Sequence, residues 1–459
     1  MTETPHHPPL AGWTAVILAA GRGTRMRSAL PKALHPVAGV PMVRHVANAA
    51  RGAGFDQIVV VVSPEGEAIA EAAGDATAAV QSEPLGTGHA ALAGVSAVED
   101  ASNIAILNGD LPLLTAETLA AAAQRHLEAD ATLTFVTAEV EDPTGYGRVD
   151  RKVGRVHAIV EEVDTDADTR SINEINVGLY VARADWLRNA LAQLEPSTSG
   201  ELYLTDVVAA AVSDGAVETH RLASADEVQQ VNDRVELARA EAAMRTRVHE
   251  RLMRDGVTIV DPASTFVDAG VEVGADTRLL PGVHLLGATS LGSECEVGPN
   301  AVLRDVQGGD RVRIGSSTIE GSTLADDIEV GPYCHLRPGS ALERGVHLGN
   351  YVEVKESRIG AETRIGHFSY VGDADVGQAV NIGAGTVTAN YDGERKHRTE
   401  IGDGAFIGVD TMLVAPVRVG SSARTAAGAV VIDDVPPGAM VLGVPARIRP
   451  DEGAESGGG

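Results

Sequence analysis

From about Val271 to Val435 an aliphatic residue followed by glycine recurs at steps of six residues or their multiples. The pairs include Val273-Gly274, Leu291-Gly292, Val297-Gly298, Ile359-Gly360, Ile365-Gly366, Val371-Gly372, Ile401-Gly402 and Ile407-Gly408. That spacing predicts a parallel β-helix, in which three short strands make one coil and eighteen residues bring the chain back to the same corner. Ahead of the repeat, from Trp13 to about Leu222, short apolar runs alternate with alanine-rich stretches. Thr14–Ala20, Gln57–Val62, Ala105–Leu107, Thr132–Glu139, Val156–Glu161 and Val177–Val181 read as strands, and Thr115–Ala129 as a helix. The alternation predicts a mostly parallel sheet with helices on both faces and ligands at the carboxyl ends of its strands. Between the two regions, Val228, Val231, Val235, Ala238, Ala242 and Leu252 fall near helical spacing with no Pro or Gly. One helix is predicted over 226–254, capped near Ser224 or Asp226 and closed at Gly256.

Composition narrows the field. The 51 glycines among 459 residues are the trace of the repeat, whose tight corners favour residues tolerant of positive φ. A net charge of −27, from 64 acidic and 37 basic residues, argues against a nucleic-acid partner, which needs clustered Lys and Arg. No run of eighteen apolar residues exists, and Thr2–Pro9 lacks a signal-peptide core, so no membrane partner and a cytoplasmic location are expected. His6-His7 in that Pro-rich arm is not read as a metal site. The cysteines, Cys295 and Cys334, are expected as buried thiols on different layers. The acidic, glycine-ended 451–459 is expected to be disordered.

The first predicted strand runs directly into Gly21-Arg-Gly-Thr-Arg-Met26, followed by Leu30-Pro-Lys32. Glycines after a strand let backbone N–H groups approach a polyphosphate, and Arg and Lys neutralise it. No Gly-Lys-Ser/Thr follows, and Met26 stands where a dinucleotide fingerprint needs its third glycine, so neither standard loop is present. Asn108-Gly-Asp110 follows the strand Ala105–Leu107, which places Asp110 at the same carboxyl edge and suits it to Mg²⁺. Gln81 and the backbone around Gly86-Thr87 are fit to read the edge of a base.

Within the repeat, basic, hydroxyl and amide groups concentrate at Arg337, Lys355, His367, Tyr370, Asn381, Asn390, Tyr391 and Lys396. The last three belong to a polar insertion, Ala389 to Thr399, that interrupts the coils beside their most regular stretch. Histidine takes a proton from an amine near neutral pH, as attack on a thioester requires.

Leu18-Ala-Ala-Gly-Arg-Gly-Thr-Arg-Met26 with Pro31-Lys32 resembles the sugar-phosphate nucleotidyltransferase signature. Together with Gln81…Gly86-Thr87-Gly88, Asn108-Gly-Asp110, Gly145-Tyr-Gly-Arg148, Glu174-Ile-Asn176 and the hexapeptides, it resembles one family over about Trp13 to Val435. That family is the bifunctional N-acetylglucosamine-1-phosphate uridylyltransferases/glucosamine-1-phosphate acetyltransferases. The resemblance implies a Rossmann-like α/β nucleotidyltransferase domain, a long helix, and a left-handed parallel β-helix of hexapeptide repeats. It implies UTP phosphates on Leu18, Ala19, Ala20, Gly21 and Lys32, with Arg25 assisting, and the base on Gln81, Gly86 and Thr87. It also implies the sugar on Gly147, Glu161 and Asn176, and Mg²⁺ on Asp110 and Asn232. In the second site, Arg337, Lys355, Tyr370, Asn381 and Lys396 would hold glucosamine-1-phosphate. His367 would be the general base, with Glu353 to orient or polarise it. Asn390 and Tyr391 would contact the acetyl-CoA thioester and stabilise its oxyanion, with Ala384 and Ala427 as backbone contacts. Pro84 and Val409 stand where relatives usually carry a polar residue and a serine.

The resulting expectation is two enzymes on one chain and a homotrimer with CoA sites between subunits. Its segments are an arm over 1–12, a uridylyltransferase domain over 13–234, a linker helix over 235–255, an acetyltransferase β-helix over 256–450 and a tail over 451–459. A nucleotidyltransferase whose β-helix only assembles the protein stays open as an alternative. The cluster His367, Asn390 and Tyr391 is what such a scaffold would not need.

Overall fold

The computed structural model describes residues 10–197, 200–222 and 227–449. The expected arm residues 1–9 with His6-His7, the expected caps Ser224 and Asp226, and the tail 451–459 lie outside them. The chain divides into two compact units, Met1–Met244 and Arg245–Gly459.

The first unit is built on nine strands: β1 (Leu10–Leu18), β2 (Phe55–Val62), β3 (Thr77–Val80), β4 (Asn103–Asn108), β5 (Leu133–Glu139), β6 (Arg148–Lys152), β7 (Arg155–Val160), β8 (Glu174–Arg183) and β9 (Val217–Arg221). Their order is β9-β5-β8-β4-β1-β2-β3, with the hairpin β6–β7 attached through β8. β1, β2, β3 and β4 pair in parallel, whereas β8 runs antiparallel to β4 and β5, so the expected mostly parallel sheet carries one reversed strand in its middle. Ala15 and Ile17 face one apolar layer and Val16 the other, which is why β1 reads as an unbroken apolar run. The helix expected over Thr115–Ala129 is Ala116–Glu128, with the Thr115 hydroxyl accepting from the Thr118 amide at 3.2 Å as its cap. Strand order turns back at β1, and Leu18 pairs with Asn108 at the carboxyl end of this switch point.

The long helix is shorter than its apolar spacing suggested, spanning Arg234–Arg254. Asp233 Oδ1 accepts from the Val235 and Glu236 amides, both at 2.8 Å, and caps it. Val228 and Val231, read as helical, are instead buried in chain ahead of the helix, and the Val231 amide donates to the Asp110 carbonyl at 3.1 Å. Packing beside Asp110 overrides helix periodicity there.

The second unit is the left-handed parallel β-helix, whose two- to four-residue strands stack in three parallel sheets. Along the first sheet the register runs Arg278, Glu296, Arg313, Glu329, His347, Arg364, Asn381, Phe406, Arg424. Coils therefore take sixteen, seventeen or eighteen residues, not eighteen throughout, and the coil from Asn381 to Phe406 takes twenty-five because it holds the polar insertion.

Some repeat glycines take positive-φ corners as composition suggested, among them Gly282, Gly287, Gly339 and Gly345, and others serve a second purpose. Gly274 and Gly360 are not at positive φ; a Cβ on either would meet backbone of the next coil at 2.5–2.6 Å. Other left-handed corners are filled by residues with side chains, among them Asp276, Asp327, Glu362, Asp373 and Asp410. Glycine is needed here for close stacking of coils. Cys295 and Cys334 are free and buried, as expected, and burial pushes both thiols up. No helix among the described residues is long and apolar enough to cross a membrane.

Candidate functional sites

At the switch point β1 ends and the chain turns through Gly21 and Gly23 into a single 3-10 turn, Thr24–Met26. Gly23 sits at φ 59°, and a Cβ there would meet the Lys32 Cβ at 2.5 Å, so glycine lets the loop lie against the lysine. Met26, in place of a third glycine, is buried beneath the loop. The Gly109 amide donates to the Leu18 carbonyl at 2.9 Å, which locks Asp110 beside the glycine turn. Lys32 Nζ lies 2.5 Å from Asp110 Oδ2 and 3.1 Å from Asn232 Oδ1. Asp110 Oδ1 is buried with no partner among the described residues.

These groups open onto a cleft of about 570 Å³. Leu18, Ala19, Ala20, Gly21, Arg25, Lys32, Gln81, Gly86, Thr87, Asp110, Gly147, Glu161, Asn176 and Asn232 all line it. Side chains drawn from distant parts of the sequence thus meet around one space. Gln81 Nε2 donates to the Gly86 carbonyl at 3.1 Å, which sets the amide of the base-reading segment. The Thr87 hydroxyl already accepts from the Leu204 amide at 3.0 Å. At the other end, Asn176 donates to the Tyr180 hydroxyl at 2.6 Å and Glu161 accepts from the Thr205 hydroxyl at 2.8 Å. Burial pushes the Glu161 carboxyl up, the Thr205 hydroxyl opposes the shift, and Asp206 and Asp164 add to it. Tyr203 and Thr205 also line the cleft and carry no motif. Their signal is spatial, since the chain returns over the cleft only after β8.

On the β-helix, His367 follows the first-sheet strand Arg364–Ile365 and precedes the second-sheet strand Ser369–Gly372. It is exposed, and its Nδ1 faces Asn350 Oδ1 at 3.4 Å. The Glu353 carboxylate, expected to orient or polarise it, pairs with Arg337 at 3.3 Å. Ala384, Val409 and Ala427 stack along the corner that His367 begins, joined through Gly385 N to Phe368 O, Asp410 N to Ala384 O and Gly428 N to Val409 O.

Beyond Tyr370 the strand ends at Gly372 and turns at Asp373, a residue the sequence did not single out. Asp373 Oδ2 lies 3.8 Å from Lys355 Nζ and accepts from the Asn390 amide, which also donates to the Tyr370 hydroxyl at 3.3 Å. Lys396, brought back by the insertion, lies against Lys355, and the neighbouring ammonium pushes the Lys396 amine down. Two cations held together mark a place for an anion. Tyr391, 61 % exposed, projects from the insertion. Asn381 is not brought to this group; it sits in the first-sheet register between Arg364 and Phe406, while Tyr370 lies in the second sheet.

Residues 15–211 match the family model of the MobA-like NTP transferase domain. The whole chain is similar to bifunctional GlmU proteins. That from Exiguobacterium sibiricum is 45% identical over 93% of this chain and 96% of its own length. The corresponding values are 46%, 94% and 95% for the protein from Heliobacterium modesticaldum. For Trichlorobacter lovleyi they are 45%, 93% and 95%. Identity at that level across both units, with a nucleotidyltransferase match on the first, shows that the chain belongs to the bifunctional GlmU family.

Proposed function

We propose that this chain makes UDP-N-acetylglucosamine in two steps. It acetylates glucosamine-1-phosphate with acetyl-CoA on the β-helix, then transfers UMP from UTP to N-acetylglucosamine-1-phosphate in the cleft. The observation that carries the reading is the separation of two polar sites of different chemistry, each built within one unit.

In the cleft, a phosphate oxygen of the sugar-1-phosphate attacks the α-phosphorus of UTP in line, and pyrophosphate leaves. No covalent protein intermediate is needed, because positioning and charge neutralisation suffice. Leu18–Gly21 and Lys32 hold the phosphates, Arg25 neutralises them, and Gln81, Gly86 and Thr87 hold the base. Gly147, Glu161 and Asn176 hold the sugar. Asp110 and Asn232 offer one carboxylate and one amide oxygen, and Asp110 Oδ1 is buried without a partner. This donor set suits Mg²⁺, with phosphate oxygens and waters as its other ligands; when bound, the ion supplies charge neutralisation at the phosphates.

On the β-helix, Arg337, Lys355, Lys396 and Tyr370 hold the sugar phosphate, and Asn381, in the first sheet, completes the site from a second copy of the chain. The substrate amine attacks the thioester carbonyl, the His367 imidazole takes its proton, and CoA leaves as the thiol. Tyr391, Ala384 and Ala427 line the CoA path. A homotrimer with these sites between copies is supported by the last coils of the second sheet, where Val387, Met412 and Val430 stand in consecutive register. The first sheet instead alternates Arg and Glu outward. The uridylyltransferase domain is taken as 13–234, the connecting helix as 235–255 and the acetyltransferase domain as 256–450.

The test is to follow thiol release from acetyl-CoA with glucosamine-1-phosphate, and pyrophosphate release from UTP with N-acetylglucosamine-1-phosphate, on the intact protein. Both activities are expected. Pyrophosphate release without thiol release would reduce the β-helix to a scaffold.

A further inference from the structure

Asn390 carries a donor end and an acceptor end, and which end faces the substrate decides what it can do. Its Nδ2 points at Asp373 Oδ2 and at the Tyr370 hydroxyl, 3.3 Å away. An ionised carboxylate only accepts, so it demands the NH₂ end of the amide and excludes the flipped rotamer. Both amide hydrogens are then in use. What remains is Oδ1, an acceptor, which no described residue hydrogen-bonds. Asp373 has few alternatives in this setting, since its side chain is 14% exposed, that of Lys355 is 15% exposed, and Asn390 is 9% exposed.

We propose that Asp373 is a positioning residue for acetyl transfer: it fixes the amide of Asn390 so that Oδ1 accepts a hydrogen bond from the amino group of the sugar substrate. This gives Asn390 a role different from the oxyanion donor that the resemblance implied. A neutral amine attacking a thioester keeps N–H bonds while its lone pair forms the new C–N bond. One proton then passes to His367, and CoA departs with the electron pair of the broken C–S bond, collecting a proton as the thiol. An acceptor held on the amine orients that lone pair and stabilises the positive charge that develops on nitrogen before the proton is lost. The same carboxylate faces Lys355, so it joins the phosphate clamp to the amine-binding end of the site. Substrates bearing both a phosphate and an amine fit that spacing.

The inference rests on the acetyltransferase reading, and its test separates the two. Asp373→Asn frees the Asn390 amide to rotate, and acetyl-transfer kcat is expected to fall on the order of 10- to 100-fold, the cost of losing one charge-assisted hydrogen bond. KM for glucosamine-1-phosphate should not rise, because a competing anion has been removed from Lys355. Asn390→Asp sets two carboxylates against each other and should fall as far. The exchange Asp373→Asn with Asn390→Asp restores a donor facing an acceptor and keeps an oxygen toward the amine, so kcat should recover by tenfold or so over either single variant. Uridylyl transfer and thermal melting of each variant report folding independently. Unchanged kcat in Asp373→Asn, a loss confined to KM, or an exchange variant no better than Asn390→Asp would each overturn the proposal. Absence of thiol release in the unmodified protein would instead overturn the reading beneath it.

Discussion

The two sites are enclosed to different degrees. In the first unit, residues from β1, β4, β8 and the chain before the connecting helix wall a cleft of about 570 Å³. On the β-helix, His367 is exposed, Phe368 and Tyr391 are 58% and 61% exposed, and Asn381 lies in a different sheet from Tyr370. An α/β sheet supplies a crevice wherever strand order reverses, so one copy of the chain suffices. A prism of flat sheets supplies only faces and corners, and depth must come from a projecting loop or a second copy. The uridylyl site should therefore tolerate dissociation of the protein, and the acetyl site should not.

The largest effect is expected from Asp110→Ala, which removes a carboxylate from the phosphate end and leaves Lys32 without its ion pair. Pyrophosphate release should drop by roughly 100-fold or more, with thiol release unchanged. Next, Val387→Glu combined with Met412→Glu puts charges on the outward line of the second sheet. Acetyl transfer should fall about tenfold or more as the assembly dissociates, uridylyl transfer should persist, and sedimentation should show a smaller species. Acetyl transfer at full rate from a dissociated chain would erase the contrast.

A smaller effect concerns pH. Burial raises the Glu161 pKa, so its carboxylate is present above that raised value and is lost earlier than usual as pH falls. KM for N-acetylglucosamine-1-phosphate should therefore rise on the mildly acid side, whereas Glu161→Gln should give a higher but flatter profile. The sign for stability is opposite: the fold disfavours the charged form, so its cost is present above the folded-state pKa and absent below the unfolded one. Glu161→Gln should accordingly melt no lower than the unmodified protein at neutral pH. The smallest effect is purely structural. Thr115→Ala removes the cap on the Thr118 amide and a 3.0 Å bond to Glu227. It should cost about 1 kcal/mol in urea unfolding of the first unit, with neither activity altered.

The nucleotide cleft was largely legible in the sequence because its groups sit where strands end, a position that apolar runs mark. Tyr203 and Thr205 were not, since no local pattern announces where a returning chain crosses a pocket. On the β-helix the architecture was legible from aliphatic-glycine spacing, although the glycines serve coil stacking as well as corners, and several positive-φ corners hold acidic residues instead. That substitution hid Asp373, which reads as one corner aspartate among many until Asn390 and Lys355 are placed against it. For Glu353 the sequence did not reveal Arg337, one coil away, which pairs with its carboxylate. The connecting helix was overextended because Val228 and Val231 keep helical spacing while packing as irregular chain beside Asp110.

The decisive measurement is His367→Ala assayed in both half-reactions from one preparation. Thiol release with glucosamine-1-phosphate should fall by about 100-fold or more, the contribution of a general base. Pyrophosphate release with preformed N-acetylglucosamine-1-phosphate should stay at the level of the unmodified protein. Undiminished thiol release, or loss of both activities in a variant that melts normally, would contradict two independent sites on one chain.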